Sequence, residues 1–219
     1  MVTFNDVKQH PTAQEFIKKG NEHLGAMGFT EHSFRHTSLV AKIASNILER
    51  LKYSEREVEL AAIAGYLHDI GNVVSRYNHG QSGAVIAYDI LRSLEMDDGE
   101  IATIIAAIGN HEEQYGESVN SVAAALILAD KSDVHRSRVR NPDVSTYDIH
   151  DRVNYGAIHS FLNVDTETRK ITLELEIDQE ITTVMEYFEI FLSRMVMCRR
   201  AAEFLDASFG LVINDAKLL

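Results

Sequence analysis

Residues 65–72 read GYLHDIGN, and the reading of this stretch decides the fold. From Ala61 to Leu67 the chain is largely apolar, and it then delivers a histidine and an aspartate side by side. Upstream, Ser54 and Glu57 form a capping-box pattern, so SEREVELAAIAGYLHDIG reads as one helix with apolar residues all round its axis, ended by Gly71. Such a helix is central to a core. An imidazole and a carboxylate at its buried end are costly unless they are paired or hold a cation.

The same pattern recurs on both sides. A helix from Thr12 to about Leu24 is predicted with Thr12 as its cap, and a second runs from near Thr30 to Leu51 with His36, Val40, Ile43 and Ile47 on one stripe. Another is expected from about Asn78 to Leu94, with His79 in its first turn and Val85, Ile86, Ile90 and Leu94 facing inward. A helix from about Asp98 carries Ile101, Ile104, Ile105 and Ile108 towards His111; one from near Asn120 carries Val122, Leu126 and Ala129 towards Asp130. Apolar stripes thus end repeatedly in a histidine or an aspartate.

After Pro142 the character changes. A short helix is expected over 146–156, then a hairpin in which Ile171, Leu173, Leu175 and Ile177 alternate with polar residues and DTETRK supplies the loop. A long helix from Asp178 is read through Ile181, Val184, Phe188, Phe191, Met195, Cys198, Ala202, Leu205 and Phe209, closed by Gly210. The fold class is therefore mainly α, a helical bundle over 1–145 with a C-terminal extension over 146–219 of short helix, β-hairpin and long helix packed on it. That helix either packs on its own domain or forms a homodimer seam.

Composition bounds the function. With 21 basic against 33 acidic residues the formal net charge is −12, which disfavours a nucleic acid polymer as partner. The longest apolar run, 122–129, is too short for a membrane span, the N-terminal residues lack an apolar signal core, and the expected location is cytoplasmic. The single Cys198 excludes both a disulfide framework and a cysteine-rich zinc site. Of the ten histidines, His10, His23, His32, His135, His150 and His159 lie off the inward stripes and are expected to face solvent or cap locally, with His32 and His135 retained as groups that could orient a ligand.

The inward polar set is His36, His68, Asp69, His79, His111 and Asp130. Four imidazoles and two carboxylates converging on one cavity would be compensated by one or two cations, and Asp69, having two oxygens, could bridge them. Just beyond Asp130, the segment 130–140 adds Lys131, Arg136, Arg138 and Arg140, a basic cluster suited to a substrate phosphate. Lys131, Arg136 and Arg138 are the expected substrate-binding residues. Asp133 is expected either to orient a ligand or to pair with Arg136, and Glu112 and Glu113 to form a solvated run.

A histidine, a His-Asp doublet and a distant aspartate on separate helices, here His36, His68–Asp69 and Asp130, resemble the signature of the HD-domain metal-dependent phosphohydrolase superfamily. NHGQSGA at 78–84 and GNHEEQYG at 109–116 resemble the extra histidine motifs of its dinuclear branch, and the set is most similar to the bacterial dinucleoside polyphosphate hydrolases. Asn72, Asn110 and the lack of Gly-Tyr-Pro after His111 depart from the cyclic-dinucleotide phosphodiesterases. The resemblance implies that His36, His68, Asp69 and Asp130 hold one metal and Asp69, His79 and His111 a second. Iron or manganese is the implied pair, with nickel, zinc or magnesium as alternatives. It further implies hydrolysis of a phosphate ester or phosphoanhydride of a nucleotide or other small phosphorylated metabolite by a metal-activated water, with Asp69 and Lys131 as catalytic residues. The alternatives are a catalytically silent HD-fold module for signalling or nucleotide binding and, with weaker motif support, an oxygen-using diiron enzyme.

Overall fold

The computed structural model describes residues 1–219. Its helices are α1 (Phe4–Gln9), α2 (Pro11–Ala26), α3 (Phe34–Arg50), α4 (Glu55–Leu67), α5 (His79–Ser93), α6 (Asp98–Gly109), α7 (Ser121–Ser132), α8 (Ile149–Gly156) and α9 (Val184–Phe204). The strands are β1 (Ala157–Asp165), β2 (Lys170–Ile177), β3 (Ser208–Ile213) and β4 (Ala216–Lys217). The mainly helical reading holds.

The capping box at Ser54 and Glu57 starts α4, and Leu60 to Leu67 are all buried, so α4 is the central helix. It sits so close to α3 that a Cβ on Gly65 would lie 2.7 Å from Ala41 Cα. The helix stops one residue before the His-Asp pair: His68 is its C-cap, Asp69 leaves helical geometry, and a 3-10 turn occupies Ile70–Val73. Gly71 therefore lies beyond the helix end, inside that turn.

Four sequence-based boundaries are corrected. The cap of α2 is His10, with Pro11 at the first helical position, in place of Thr12, and α3 starts after its Ser33 cap rather than near Thr30. Val85 is 71% exposed and does not face inward, because α5 buries only the side that carries His79, Gly83, Ala87, Ile90 and Leu91. The last helix begins after its Thr183 cap, so Ile181 precedes it, and it ends at Phe204. Phe209 and Gly210 belong to β3.

That last correction changes the topology of the extension. The hairpin of β1 and β2 is present, antiparallel, with Ile171 opposite Val164 and Leu173 opposite Leu162. β3 then pairs parallel with β2, Leu173 beside Leu211, which requires the chain to cross over through α9, and β4 completes a sheet in the order β1-β2-β3-β4. The buried residues Ile171, Leu173, Leu175, Phe209, Leu211 and Ile213 join Ile127, Cys198 and Ala202 in one continuous hydrophobic core. The extension is thus packed on the bundle. No helix is long and apolar enough to cross a membrane.

Candidate metal centre

Helix ends deliver all the inward polar residues. His36 lies in the first turn of α3, His68 caps α4 with Asp69 after it, His79 opens α5, His111 follows α6, and Asp130 sits in the last turn of α7. All except the partly exposed Asp130 are buried.

Three of the imidazoles are oriented by one local device. His68 Nδ1 bonds the Gly65 carbonyl at 2.8 Å, His79 Nδ1 the Arg76 carbonyl at 3.0 Å and His111 Nδ1 the Ile108 carbonyl at 2.6 Å, each three residues back in the chain. A carbonyl only accepts, so Nδ1 carries a proton and Nε2 is the nitrogen turned to the cavity, free to bind an ion once any proton it holds is released. His36 reaches the same state differently: its Nδ1 lies 2.6 Å from Asp133 Oδ2.

These Nε2 atoms converge. His36 Nε2 and His68 Nε2 are 3.3 Å apart, and His79 Nε2 and His111 Nε2 are 3.1 Å apart. Atoms bound to one ion at about 2.1 Å sit about 3.0–3.4 Å from each other in octahedral or tetrahedral arrangements, so this spacing fits coordination. Asp69 stands between the two pairs. Its Oδ2 is 3.4 Å from His36 Nε2 and 3.3 Å from His68 Nε2, while its Oδ1 is 3.3 Å from His79 Nε2. Asp130 Oδ1 lies 3.4 Å from His36 and 3.5 Å from His68. Asp69 Oδ2 is buried without a hydrogen-bond partner, an orphaned anionic oxygen that a cation would satisfy.

Two compact groups result, His36, His68 and Asp130, and His68, Asp69 and His111, each with ligand atoms within 4.8 Å of one another. The buried His and Asp clusters can therefore hold metal ions. His79 stands outside both compact groups but reaches Asp69 Oδ1 and His111, as above.

Charges in the centre are strongly coupled. Burial alone would hold His68 neutral, but the carboxylates of Asp69 and Asp130 pull its imidazole up to about 10. Burial would raise Asp69, yet His68, His32 and His36 keep its carboxyl well below the usual carboxylate range. Asp130 is likewise depressed, by the Lys131 ammonium and then by His36 and His68. His111 is driven the other way, by burial and by repulsion from His79 and His68, which keeps it in the neutral form that binds metal.

The surrounding residues show what local periodicity misses. Asp133 does not pair with Arg136; besides His36 it meets Arg35 Nη2 at 3.0 Å, and Arg138 Nε lies 3.7 Å from it. Glu112 is no solvated residue, since it accepts from the Gly80 amide at 2.7 Å and lies 3.3 Å from His79 Nδ1. His32 is buried, bonds the Thr30 carbonyl through Nδ1 and holds Nε2 4.0 Å from Asp69 Oδ2, so it is neither solvent-facing nor a cap. His135 does cap, accepting from Ser137 N. Asp133→Asn should weaken metal affinity about 10- to 100-fold by loosening His36, read by competition with a chromogenic chelator; unchanged affinity would show that packing alone orients the imidazole.

A cavity of about 630 Å³ opens onto Asp69, His79 and Asp130 and is also lined by His32, Lys131, Arg138 and Arg194. Lys131 is buried and places Nζ 2.7 Å from Asp130 Oδ2 and 3.5 Å from Glu113 Oε1. Arg138 lines the cavity but spends its Nε and Nη2 on the Glu31 carbonyl and its Nη1 on that of Asp133. Arg136 lies outside the lining; its guanidinium sits 5.1 Å from the Tyr155 ring and 3.9 Å from Asp178. Arg140 hydrogen-bonds Asn21. The extension supplies lining that the sequence reading did not assign: Asp148, His150, Asp151 and Asn154 from α8 and its approach, and Phe191 and Arg194 from α9.

Among known proteins, the chain is similar to an uncharacterized protein of the archaeon Methanocaldococcus jannaschii, 24% identical over 200 residues that cover 81% of this chain and 76% of the relative. Residues 33–140, which include His36, His68, Asp69, His79, His111 and Asp130, match the family model of the HD domain.

Proposed function

We propose that the protein is a metal-dependent phosphohydrolase with a dinuclear centre, acting on a nucleotide or another small phosphorylated metabolite. The observation that carries this reading is Asp69: one carboxylate oxygen turned to His36 and His68, the other to His79, and the first left without a hydrogen-bond partner. A bridging carboxylate needs that arrangement. His36, His68, Asp69 and Asp130 would hold one ion, and Asp69, His79 and His111 the other. When bound, such cations supply Lewis acidity towards a phosphoryl oxygen and a water acidic enough to attack at neutral pH.

The chain's own residues do the rest. Carbonyl bonds at Nδ1 fix the imidazoles, Asp133 steadies His36, and Glu112 steadies His79. Lys131 places an ammonium beside Asp130, where it can neutralise charge that builds on a transferred phosphoryl group. The cavity falls within the roughly 300–1,000 Å³ typical of small-molecule sites.

Protein purified without added metal should carry iron, manganese or nickel by elemental analysis. A panel of nucleotides and phosphate esters assayed with each of these metals should reveal turnover of at least one. Turnover of none beside tight binding of one would instead make the chain a silent nucleotide-binding module.

A further inference from the structure

Phe191 and Arg194 are the residues that α9 contributes to the cavity wall. The Arg194 guanidinium lies 4.2 Å from the centre of the Phe191 ring, an arrangement that fixes its plane. Its Nε comes within 2.5 Å of Glu113 Oε1 but is out of line for a hydrogen bond and lacks a partner of that kind. The same Glu113 oxygen lies 3.5 Å from Lys131 Nζ. Two cations thus share one carboxylate, and one of them, Lys131, already touches the metal-binding Asp130.

Glu113 belongs to the non-helical segment between α6 and α7, so its carboxylate is more easily displaced than one fixed on a helix. A phosphate carries more charge than a carboxylate and offers three oxygens, which suits the fork of an arginine better than one poorly aligned Oε1. Resting on the proposed phosphohydrolase, we propose that Lys131 and Arg194 form a subsite for a second phosphate, adjacent to the one at the metals, and that Glu113 occupies this subsite until substrate displaces it. The substrate class is then a phosphoanhydride rather than a simple monoester. Arg194 is the specificity-determining residue, and it comes from outside the HD segment.

The test uses the full chain saturated with manganese and two probes that cannot be hydrolysed: methylenediphosphonate, with a P–C–P link, and methylphosphonate, with one phosphorus. Calorimetry should show that Arg194→Gln weakens methylenediphosphonate binding about 10- to 100-fold and methylphosphonate by less than about threefold. Glu113→Gln should tighten methylenediphosphonate. If the Arg194–Glu113 contact only held α9 in place, both variants would weaken binding together, and that result overturns the subsite. So does equal weakening of the two probes, or a wild-type chain that does not bind methylenediphosphonate. The expected pattern without any turnover on the substrate panel removes the enzymatic reading and leaves the subsite; anhydride turnover indifferent to Arg194→Gln does the reverse.

Discussion

Asp69→Ala is expected to lower metal affinity by more than about a hundredfold and to abolish turnover on every substrate that the wild-type chain hydrolyses. Orienting partners of metal ligands are typically worth about 10- to 100-fold, and a carboxylate placed against both imidazole pairs should exceed them. The loss has two parts. Removing Oδ2 takes an anion away from His36 and His68, and removing Oδ1 takes the link to His79. Elemental analysis reads the first effect directly, and stability gives a second readout independent of activity. A ligand that binds only the folded state at about 100 times its dissociation constant stabilises by about 2.7 kcal/mol. Adding metal should therefore raise the melting temperature of the wild-type protein and leave that of Asp69→Ala unmoved. The variant should still fold, because the burial of Leu60 to Leu67 that anchors α4 does not depend on Asp69. Wild-type metal content in Asp69→Ala would remove the bridging role.

The centre was legible in sequence because its residues occupy a repeated local position, the inward face at a helix end. His36, His68, Asp69, His79, His111 and Asp130 are brought together as that pattern implies. Their supports were legible in part. Asp133 and His32 were among the residues that could orient a ligand, and they reach His36 and Asp69, whereas Glu112, expected in a solvated run, reaches the first turn of α5. Each of these contacts joins segments far apart in the chain, so spacing alone does not name the partner.

The C-terminal strand was lost for a different reason. Cys198, Ala202, Leu205 and Phe209 keep spacings of three and four straight through the true helix end, so periodicity extends α9 into β3. The stop lies in the backbone, with Leu205 as C-cap and Asp206 left-handed at φ 52°. β3 also pairs with a strand more than 30 residues earlier in the chain, a parallel partner that local alternation does not reveal. The short α1 was missed because it buries only Val7. Of the basic cluster, spacing showed the charge but not its direction: Lys131 faces Asp130, Arg138 braces two carbonyls, and Arg136 turns towards Tyr155.

Gly71→Ala should be the most damaging single-methyl change in the chain, and it should act unequally on the two ions of the proposed dinuclear centre. A Cβ at Gly71 would lie 1.9 Å from the His79 carbonyl oxygen, 2.6 Å from Gly83 N and 2.6 Å from Ser82 Oγ. These contacts are with the first turns of α5, two of them backbone atoms that rotamer changes cannot relieve. The 3-10 turn after Asp69 and the start of α5 must separate, at a cost of about 1–3 kcal/mol or more for forced overpacking. The separation falls between Asp69 and His79, whose Oδ1 and Nε2 are 3.3 Å apart, whereas His36 and Asp130 lie on α3 and α7, away from the strained contact, and the His68 imidazole is tied back to the Gly65 carbonyl of α4. Elemental analysis of Gly71→Ala should therefore find close to one metal per chain against the two expected of the wild type on the proposed dinuclear reading, and denaturant unfolding should show the stability loss. Equal loss of both ions would mean that α4 has moved as well. A wild-type midpoint with full occupancy would mean that α5 does not abut Gly71 as closely as the structure shows.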